Sequence, residues 1–240
     1  MVQIIPCLKD NYAYAFEIKS EGLSSHVVVD APDFQTIDKF IQEKKLRLEH
    51  LLITHHHWDH VGGILELKQK YNCKVYGLKS DEARIPGIDI TVDQDEIFKI
   101  RDVEIKALHT PGHTHQHVIY YLQKDKILFT GDTLFSMGCG RLFEGTYSEM
   151  FHSLQKIKSL PKETQIFCGH EYAEKNAQFA LSVDGNNRSL KEHYERVLKC
   201  RKKNIPTVPT SLELELQINP FLRASSVEDF SRLRQLRDSY

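Results

Sequence analysis

The feature that most constrains this chain is a run of seven residues, Thr54 to His60, with the sequence THHHWDH. It follows the apolar residues 51–53, which predict a buried strand that delivers this loop. Alternate side chains of an extended chain point to the same side, so His55 and His57 are expected to face one way. The loop offers more ligands than one tetrahedral ion with an open position can use. It therefore predicts two metal ions, and its imidazole and carboxylate groups suit zinc, iron or manganese.

A purification tag or a solvated histidine tract is the alternative explanation of this run, but neither would follow a predicted strand inside the chain.

Composition narrows the class of protein further. The 240 residues are 40% hydrophobic and 27% charged, with a formal net charge of −1, which is ordinary for a globular protein and gives no overall attraction to nucleic acid. No apolar run approaches the roughly 18 residues of a transmembrane helix, and the first residues do not resemble a signal peptide.

The cysteines bear on the compartment and on the chemistry. There are five, an odd number, and no two stand at C-x-x-C spacing, which argues against a disulfide framework and suits a reducing environment. A catalytic thiol is one interpretation, but buried apolar cysteines are commoner. We expect a cytoplasmic protein with no nucleic-acid or membrane partner, and a monomer is the default.

Alternating strand and helix patterns occupy the first 170 residues and predict an α/β domain whose helices cover its sheets. Apolar runs bounded by turn residues predict strands at 27–30, 50–54, 75–78, 103–110, 118–122, 127–131 and 166–169. Apolar residues at helical spacing predict helices around 34–41, 64–71 and 150–157.

The pattern becomes helical after His170. It predicts one helix at 172–183, a second capped by Ser189 with Glu192 completing a capping box, and a last basic helix at 227–239. We therefore predict a catalytic domain over residues 1–172 and a small helical domain over 173–240.

Three more potential ligands, His113, Asp132 and His170, each follow an apolar run and a glycine. A glycine there allows the backbone to turn sharply at the end of a strand. Each motif alone is weak, because a single histidine at a strand end is usually structural and Gly-Asp is usually a turn. Ligands in α/β proteins collect beyond one set of strand ends, so these three are expected to meet the histidine-rich loop.

The H-x-H-x-D-H loop, followed by His113, Asp132 and His170, resembles the metallo-β-lactamase superfamily over the N-terminal 170 residues. The resemblance implies an α/β (α+β) fold, a four-layered αββα sandwich, and a site for two divalent metal ions. It implies that one ion is bound by His55, His57 and His113, that the other is bound by Asp59, His60 and His170, and that Asp132 bridges both. His117 resembles a position that supports a ligating histidine from behind.

Other segments resemble a narrower family, the hydroxyacylglutathione hydrolases (glyoxalase II). They are residues 5–12, 131–146, 169–172 and 219–223, so the resemblance runs nearly end to end. It implies hydrolysis of S-(2-hydroxyacyl)glutathione, mainly S-D-lactoylglutathione, to glutathione and D-lactate, the second step of methylglyoxal removal. The implied nucleophile is a hydroxide shared by two metals, most simply zinc, with Asp59 and Asp132 as catalytic residues.

Glutathione carries two carboxylates, and arginine pairs with carboxylates through two parallel hydrogen bonds. Arg234 and Arg237 are three residues apart on a predicted helix and so share a face, although a solvated basic helix end is the alternative. The family resemblance implies that the glutathione moiety is bound by Arg141, Phe143, Tyr172, Arg234 and Arg237. Phe143 stands where some family members have tyrosine and cannot supply a hydroxyl.

Three other functions remain open at this point. A glutathione persulfide dioxygenase of the same superfamily would use one iron and consume oxygen. A broad lactonase or β-lactamase would use the same metals, but it gives no reason for a basic C-terminal helix. A non-catalytic scaffold conflicts with the complete set of seven ligands.

Overall fold

The computed structural model describes residues 1–20 and 22–240, which fall into two units. The units are Met1–His109 with Gln116–Asp125, and Thr110–His115 with Lys126–Tyr240. His113 therefore belongs to the second unit, whereas His117 belongs to the first.

The first unit contains a six-stranded sheet whose strands lie in the order in which they occur along the chain. They are β1 (Val2–Cys7), β2 (Asn11–Ser20), β3 (Leu23–Val29), β4 (Leu48–Leu52), β5 (Lys74–Leu78) and β6 (Ile90–Val92). Strands β1 to β3 are antiparallel, and β3 to β6 are parallel. Parallel neighbours need a long connection, and these connections include α1 (Phe34–Lys44), α2 (Trp58–Val61) and α3 (Ile64–Tyr71).

Helix α1 begins and ends where its sequence predicts. The Asp33 side chain accepts a hydrogen bond from the backbone N–H of Thr36 at 2.8 Å, which satisfies one of the unpaired amides of the first turn. At the other end, Lys45 adopts a left-handed conformation (φ 52°) that terminates the helix. Ile37 and Ile41 are almost completely buried in a core shared with the sheet, so the predicted helical spacing of apolar residues is confirmed.

Three more strands of the first unit form an antiparallel meander, β7 (Ile97–Ile100), β8 (Val103–His109) and β9 (Val118–Leu122). Every residue of β9 is buried. The hydroxyl of Tyr120 in β9 donates to the carbonyl of Ile53 at 2.8 Å, and burial raises its pKa, which keeps it protonated. Because Ile53 directly precedes Thr54, this bond joins the meander to the start of the histidine-rich loop.

Tyr120→Phe is expected to lower the free energy of unfolding by about 1–3 kcal/mol, because it leaves the buried carbonyl of Ile53 without its donor. Urea unfolding measures this change. The matched control is Tyr240→Phe, at a side chain that is 65% exposed, where no loss is expected. Equal stabilities of the two variants would show that the buried hydrogen bond contributes nothing.

The second unit contains short strands and six helices among its described residues. The strands are β10 (Ile127–Gly131), β11 (Leu134–Phe135), β12 (Gly138–Cys139), β13 (Gln165–Cys168) and β14 (Thr210–Ser211). The helices are α4 (Tyr147–Lys158), α5 (Ala173–Val183), α6 (Arg188–Lys202), α7 (Leu212–Ile218), α8 (Pro220–Arg223) and α9 (Val227–Asp238). Strand β10 pairs in parallel with β13, which pairs antiparallel with β14, and β11 forms a two-residue ladder with β12.

Helices α5, α6 and α7 share an apolar cluster in which three alanines of α5 allow close approach. The predicted capping box of α6 is wrong. Asn187, and not Ser189, is the N-cap, and its side chain accepts from the N–H of Leu190 at 3.0 Å. Ser189 lies inside the helix, because asparagine caps as well as serine does and occurs two residues earlier.

Helix α9 agrees with the sequence prediction and is capped by the side chain of Ser226. Across the part of the chain that the structure describes, none of the helices combines the length and apolarity required to span a bilayer.

Candidate active site

The loop after β4 brings four predicted ligands together within the first unit. The Nε2 atom of His55 lies 3.1 Å from Nδ1 of His57, and Nε2 of His60 lies 3.9 Å from Oδ2 of Asp59. Ligand atoms of His55 and His60 also lie within 4.8 Å of each other. Two nitrogens bound to one zinc ion at tetrahedral angles are roughly 3.3 Å apart, so the spacing of His55 and His57 fits binding to a single ion.

Asp30 orients two of these histidines from behind. Its carboxylate accepts from Nδ1 of His60 at 2.9 Å and from the hydroxyl of Thr54 at 2.9 Å. The Thr54 oxygen lies 3.0 Å from Nδ1 of His55, and since its proton points to Asp30, it accepts from that nitrogen. Both Nε2 atoms are therefore left unprotonated, as metal binding requires.

Asp30 is a functional residue that sequence reasoning missed. The signal was present, because the apolar run 27–29 ends in an aspartate as the ligand-bearing runs do. Asn11 was also missed as a site residue. Its side-chain amide is buried and donates to Oδ2 of Asp59 at 3.0 Å and to the Asp59 carbonyl at 3.0 Å, which fixes the rotation of that carboxylate.

The remaining histidines of this region have different contacts. Nδ1 of His56 lies 3.2 Å from the buried carboxylate of Asp81. The ring of His117 is fully buried and stacks on the ring of His55, with centroids 4.8 Å apart and planes at 28°. His117 therefore limits the movement of the His55 ring.

The other three predicted ligands converge within the second unit. Oδ2 of Asp132 lies 3.4 Å from Nε2 of His113 and 3.3 Å from Nε2 of His170. Asp132 follows β10 and His170 follows β13, and these parallel neighbours end at the same edge of their sheet. All three side chains are at least 92% buried, so one carboxylate oxygen stands between two imidazoles in a place largely shielded from water.

The glycines before these ligands adopt different backbone conformations. Gly112 (φ 147°) and Gly131 (φ 45°) have positive φ values, which disfavour any residue with a Cβ. Gly169 has no positive φ, but the backbone bends at this residue directly after the strand, so the turn is present without the left-handed conformation. The N–H of Gly169 donates to the carbonyl of Gly131 at 2.8 Å, which continues the pairing of the two strands to the ligand His170.

His113 is oriented by a backbone carbonyl. Its Nδ1 donates to the carbonyl of Arg141 at 2.7 Å, which fixes the tautomer and directs Nε2 towards Asp132. The ring of Phe143 contacts His113 edge-on with a centroid distance of 5.2 Å, and Phe143 is 62% exposed. The segment that contains Arg141 and Phe143 thus borders the ligand His113.

Tyr172 and Arg141 lie close to the ligand cluster in different ways. The ring of Tyr172 is parallel to that of His170, at 6° and 4.7 Å. The side chain of Arg141 is 63% exposed, and its Nε lies 3.6 Å from Oδ1 of Asp238. An exposed pair of this kind contributes little stability. The guanidinium can therefore leave Asp238 and pair with the carboxylate of a bound molecule at a small cost in free energy.

Arg234 and Arg237 lie on α9 but differ in their surroundings. Arg234 is 5% exposed and donates to the carbonyl of Cys139 at 3.0 Å and to Asp238 at 2.9 Å. Arg237 is half-buried, lies over the ring of Phe179, and makes a long contact of 3.4 Å with Asn176. Burial, followed by the neighbouring Arg234 charge, lowers the pKa of Arg237, so an anion beside it would be favourable.

Comparison with known proteins shows to which family this chain belongs. Residues 14–170 match the model of the metallo-beta-lactamase superfamily, and residues 171–240 match that of the hydroxyacylglutathione hydrolase C-terminus. A hydroxyacylglutathione hydrolase of Pelagibacter ubique is 44% identical over 239 residues, which cover 100% of this chain and 99% of the relative. The chain belongs to the hydroxyacylglutathione hydrolase family. A second member, from Methylococcus capsulatus, is 44% identical over 95% of this chain and 89% of its own.

Solved structures with lower sequence identity share the fold. The BLEG-1 B3 metallo-beta-lactamase has a TM-score of 0.69 and 23% identity over 92% of this chain and 99% of its own. ETHE1 from Myxococcus xanthus has a TM-score of 0.73 and 24% identity over 98% and 90%. TTHA1623, in a di-iron-bound form, has a TM-score of 0.62 and 24% identity over 89% and 97%. The predicted metallo-β-lactamase fold with a C-terminal helical region is therefore confirmed.

The donors of this family member suit divalent metal ions. They are imidazoles and carboxylates without any thiolate, which zinc, iron and manganese all accept. Among the described residues, the groups placed to bind a metal ion contain no cysteine, and four of the five cysteines are buried. Burial raises the pKa of Cys168 to about 12 and that of Cys139 to about 11, which disfavours the thiolate form of both near neutral pH.

Proposed function

We propose that this protein hydrolyses the thioester bond of S-(2-hydroxyacyl)glutathione, with S-D-lactoylglutathione as the main substrate, and releases glutathione and D-lactate. The observation that carries the proposal is the 44% identity to a hydroxyacylglutathione hydrolase over the whole chain. That identity includes the C-terminal residues 171–240, which match a region specific to this family. The reaction would be the second step of methylglyoxal removal.

The proposed cofactors are two divalent ions per chain, with zinc as the first choice and iron or manganese as alternatives. The spacing of donor atoms within each unit supports this, and TTHA1623, which has the same fold, was solved with two irons bound. The ligands proposed for one ion are His55, His57 and His113, those for the other are Asp59, His60 and His170, and Asp132 is shared. Such ions lower the pKa of bound water and polarise a carbonyl group.

The protein's own groups would hold the reacting partners in place. Asn11 keeps one oxygen of Asp59 engaged, so the carboxylate has a fixed direction in which to orient the attacking water. The shielded position of Asp132 excludes bulk water and strengthens the local electrostatic interactions. Proper orientation of this kind is a large part of the rate gain of an enzyme.

The glutathione half would be held by fixed cations and aromatic rings. Arg141 and Arg237 are the proposed partners of its carboxylates, since their contacts in the protein are long or exposed. Tyr172 and Phe143 lie beside the ligands His170 and His113 and are proposed to flank the peptide near the thioester. Arg234 would act mainly through Cys139, to which it already donates.

Arg237→Ala is expected to raise KM for S-D-lactoylglutathione by about 10–100-fold with little change in kcat, because one charge-assisted hydrogen bond is lost equally from ground and transition states. Steady-state kinetics measure both constants. The matched control is Arg232→Ala on the same helix, since Arg232 is exposed and pairs with Asp229 at 2.9 Å. An unchanged KM in Arg237→Ala would remove this residue from the substrate site.

The test of the function is steady-state hydrolysis of S-D-lactoylglutathione by metal-loaded protein, followed by the loss of thioester absorbance. Lactones, β-lactams and glutathione persulfide are the comparison substrates, the last with an oxygen electrode. Preferred turnover of the glutathione thioester without oxygen uptake is the expected result. No thioester turnover by folded protein with two bound metals would overturn the proposal and turn attention to the dioxygenase and lactonase alternatives, which the relatives do not favour.

A cytoplasmic location and a monomeric state stay predictions. Sedimentation of the purified protein tests the monomeric state. The oligomeric state matters for the kinetics because a dimer would contain two active sites.

A further inference from the structure

We propose that Glu215 and Asn219 are positioning residues that set the metal ligand His113 and the substrate residue Arg141 through the backbone of residues 135–141. This inference rests on the proposed function for its kinetic consequences. Its structural part concerns residues of the second unit alone. Neither Glu215 nor Asn219 is among the proposed ligands or substrate contacts.

Glu215 lies in α7 and is completely buried. Its Oε1 accepts from the hydroxyls of Ser136 at 3.0 Å and Thr210 at 2.8 Å. Its Oε2 accepts from the backbone N–H of Met137 at 2.8 Å and from the Asn219 amide at 3.0 Å. A buried carboxylate is unfavourable unless it is fully hydrogen-bonded, and here four donors surround it, two of them from residues 136 and 137.

Asn219 binds the same segment. Its side-chain amide shares two N–H groups among three acceptors, which are Glu215 and the carbonyls of Phe135 at 3.2 Å and Gly138 at 3.1 Å. Two other side chains also bind this segment. Asn176 donates to the carbonyl of Ser136 at 3.1 Å, and Arg234 donates to the carbonyl of Cys139 at 3.0 Å. Side chains from the helices therefore bind the carbonyls of residues 135, 136, 138 and 139 and the N–H of residue 137.

The segment needs these contacts, because its own secondary structure cannot fix it. The ladder between β11 and β12 contains only two residue pairs, and so short a hairpin is not stable alone. Met137 adopts a left-handed conformation (φ 55°), which is unfavourable for a residue with a side chain. Such a conformation persists only where the surroundings hold it, and Glu215 holds the Met137 N–H directly.

The end of the segment reaches the ligand cluster. Gly140 donates from its N–H to the carbonyl of Thr133 at 3.2 Å, next to Asp132. The carbonyl of Arg141, one residue further, accepts from Nδ1 of His113. A shift of this backbone would rotate the His113 ring and move the Arg141 side chain, so both depend on the contacts made by Glu215 and Asn219.

Loss of a partner behind a metal-binding histidine typically weakens metal binding by about 10–100-fold. Glu215→Ala is therefore expected to weaken binding of one of the two metal equivalents by about that factor, and to raise KM through Arg141. The other equivalent, whose proposed ligands do not include His113, should be affected less. A positioning role predicts this difference between the two metal equivalents, whereas a general loss of stability would weaken the binding of both.

Glu215→Gln is the rescuing variant. A glutamine can place its amide nitrogen where Oε1 lies, since the hydroxyls of Ser136 and Thr210 can accept as well as donate. Its remaining oxygen can then accept from Met137 and Asn219 as Oε2 does. Metal affinity and KM are therefore expected to stay within a few-fold of the wild-type values.

The experiment compares zinc binding by wild-type protein, Glu215→Ala, Glu215→Gln and Asn219→Ala, through competition with a chromogenic chelator and through spectra of the cobalt-substituted proteins. The matched control is Asn187→Ala, which removes the cap of α6 and the bond from Asn187 to the Gln217 carbonyl of α7 but leaves the bonds of Glu215 and Asn219 to residues 135–138 in place. Circular dichroism confirms that each variant is folded, and Asn219→Ala serves as the second disruptive variant if Glu215→Ala does not fold.

Weakened binding of one zinc equivalent in a folded disruptive variant, rescued by Glu215→Gln and absent from Asn187→Ala, is the expected result. Wild-type binding of both equivalents in the disruptive variants, or equal weakening in Asn187→Ala, would overturn the proposal. These readouts need no substrate. Failure of the wild-type protein to hydrolyse S-D-lactoylglutathione would thus refute the proposed function while the zinc data still decide the role of Glu215.

Discussion

Asp132→Ala is expected to lower kcat/KM for S-D-lactoylglutathione by about 10²–10⁴-fold and to reduce the metal content below two ions per chain. The carboxylate stands 3.3–3.4 Å from two imidazole nitrogens, and under the proposed function it is the one group that both ions share. Its removal leaves His113 and His170 without the anion between them. If the transition state loses about 3–5 kcal/mol, a cost of the size seen when a buried charged group loses its partner, the rate falls by about 10²–10⁴-fold.

Metal analysis after dialysis and steady-state kinetics measure the two effects together. Asp132→Asn is the matched variant, because it keeps the shape and one oxygen of the side chain but lacks the negative charge. If charge is what matters, the two variants should lose activity to a similar extent, whereas a largely active Asp132→Asn would point to shape. Full activity of Asp132→Ala with two metals bound would remove Asp132 from the site.

The strands that deliver the ligands could be predicted because each combines a buried apolar run with a polar residue at its end. The runs ending before His55, Asp132 and His170 are β4, β10 and β13 in the structure. Strands β1, β2, β6, β7, β11, β12 and β14 were not predicted, and five of them have only two to four residues. So short an apolar run gives almost no periodic signal.

The supporting residues could not be predicted in the same way, because their role depends on residues far away in the chain. Glu215 lies in the sequence LELELQI, where nothing distinguishes it from its neighbour Glu213, yet its oxygens bind residues 136 and 137. Arg234 likewise has the pattern of an exposed basic helix end but is 5% exposed. Burial of a charged residue follows from its tertiary partners, which a single sequence does not reveal.

Gly140→Ala is expected to lower activity by at least about 10²-fold, because no Cβ fits at this position. An added Cβ would lie 2.0 Å from the carbonyl oxygen of Asp132 and 3.1 Å from Nδ1 of His113. The first distance is far inside van der Waals contact, so the backbone must move away from residue 132. That movement would break the bond from His113 to the Arg141 carbonyl, and a displacement of about 1 Å at a catalytic site can alone reduce the rate 10²-fold.

Kinetics and zinc content of Gly140→Ala test this expectation beside Gly185→Ala in the second unit. The nearest contact of a Cβ at Gly185 is a single carbonyl oxygen of Leu181 at 3.0 Å, which a small adjustment relieves far from the ligands, so activity should be retained. The steric argument also predicts that Gly140→Ala and Glu215→Ala affect the same zinc equivalent, since both displace the segment that orients His113. Normal activity in Gly140→Ala would mean that this segment can move without disturbing the ligand, which would contradict the positioning role of Glu215 as well.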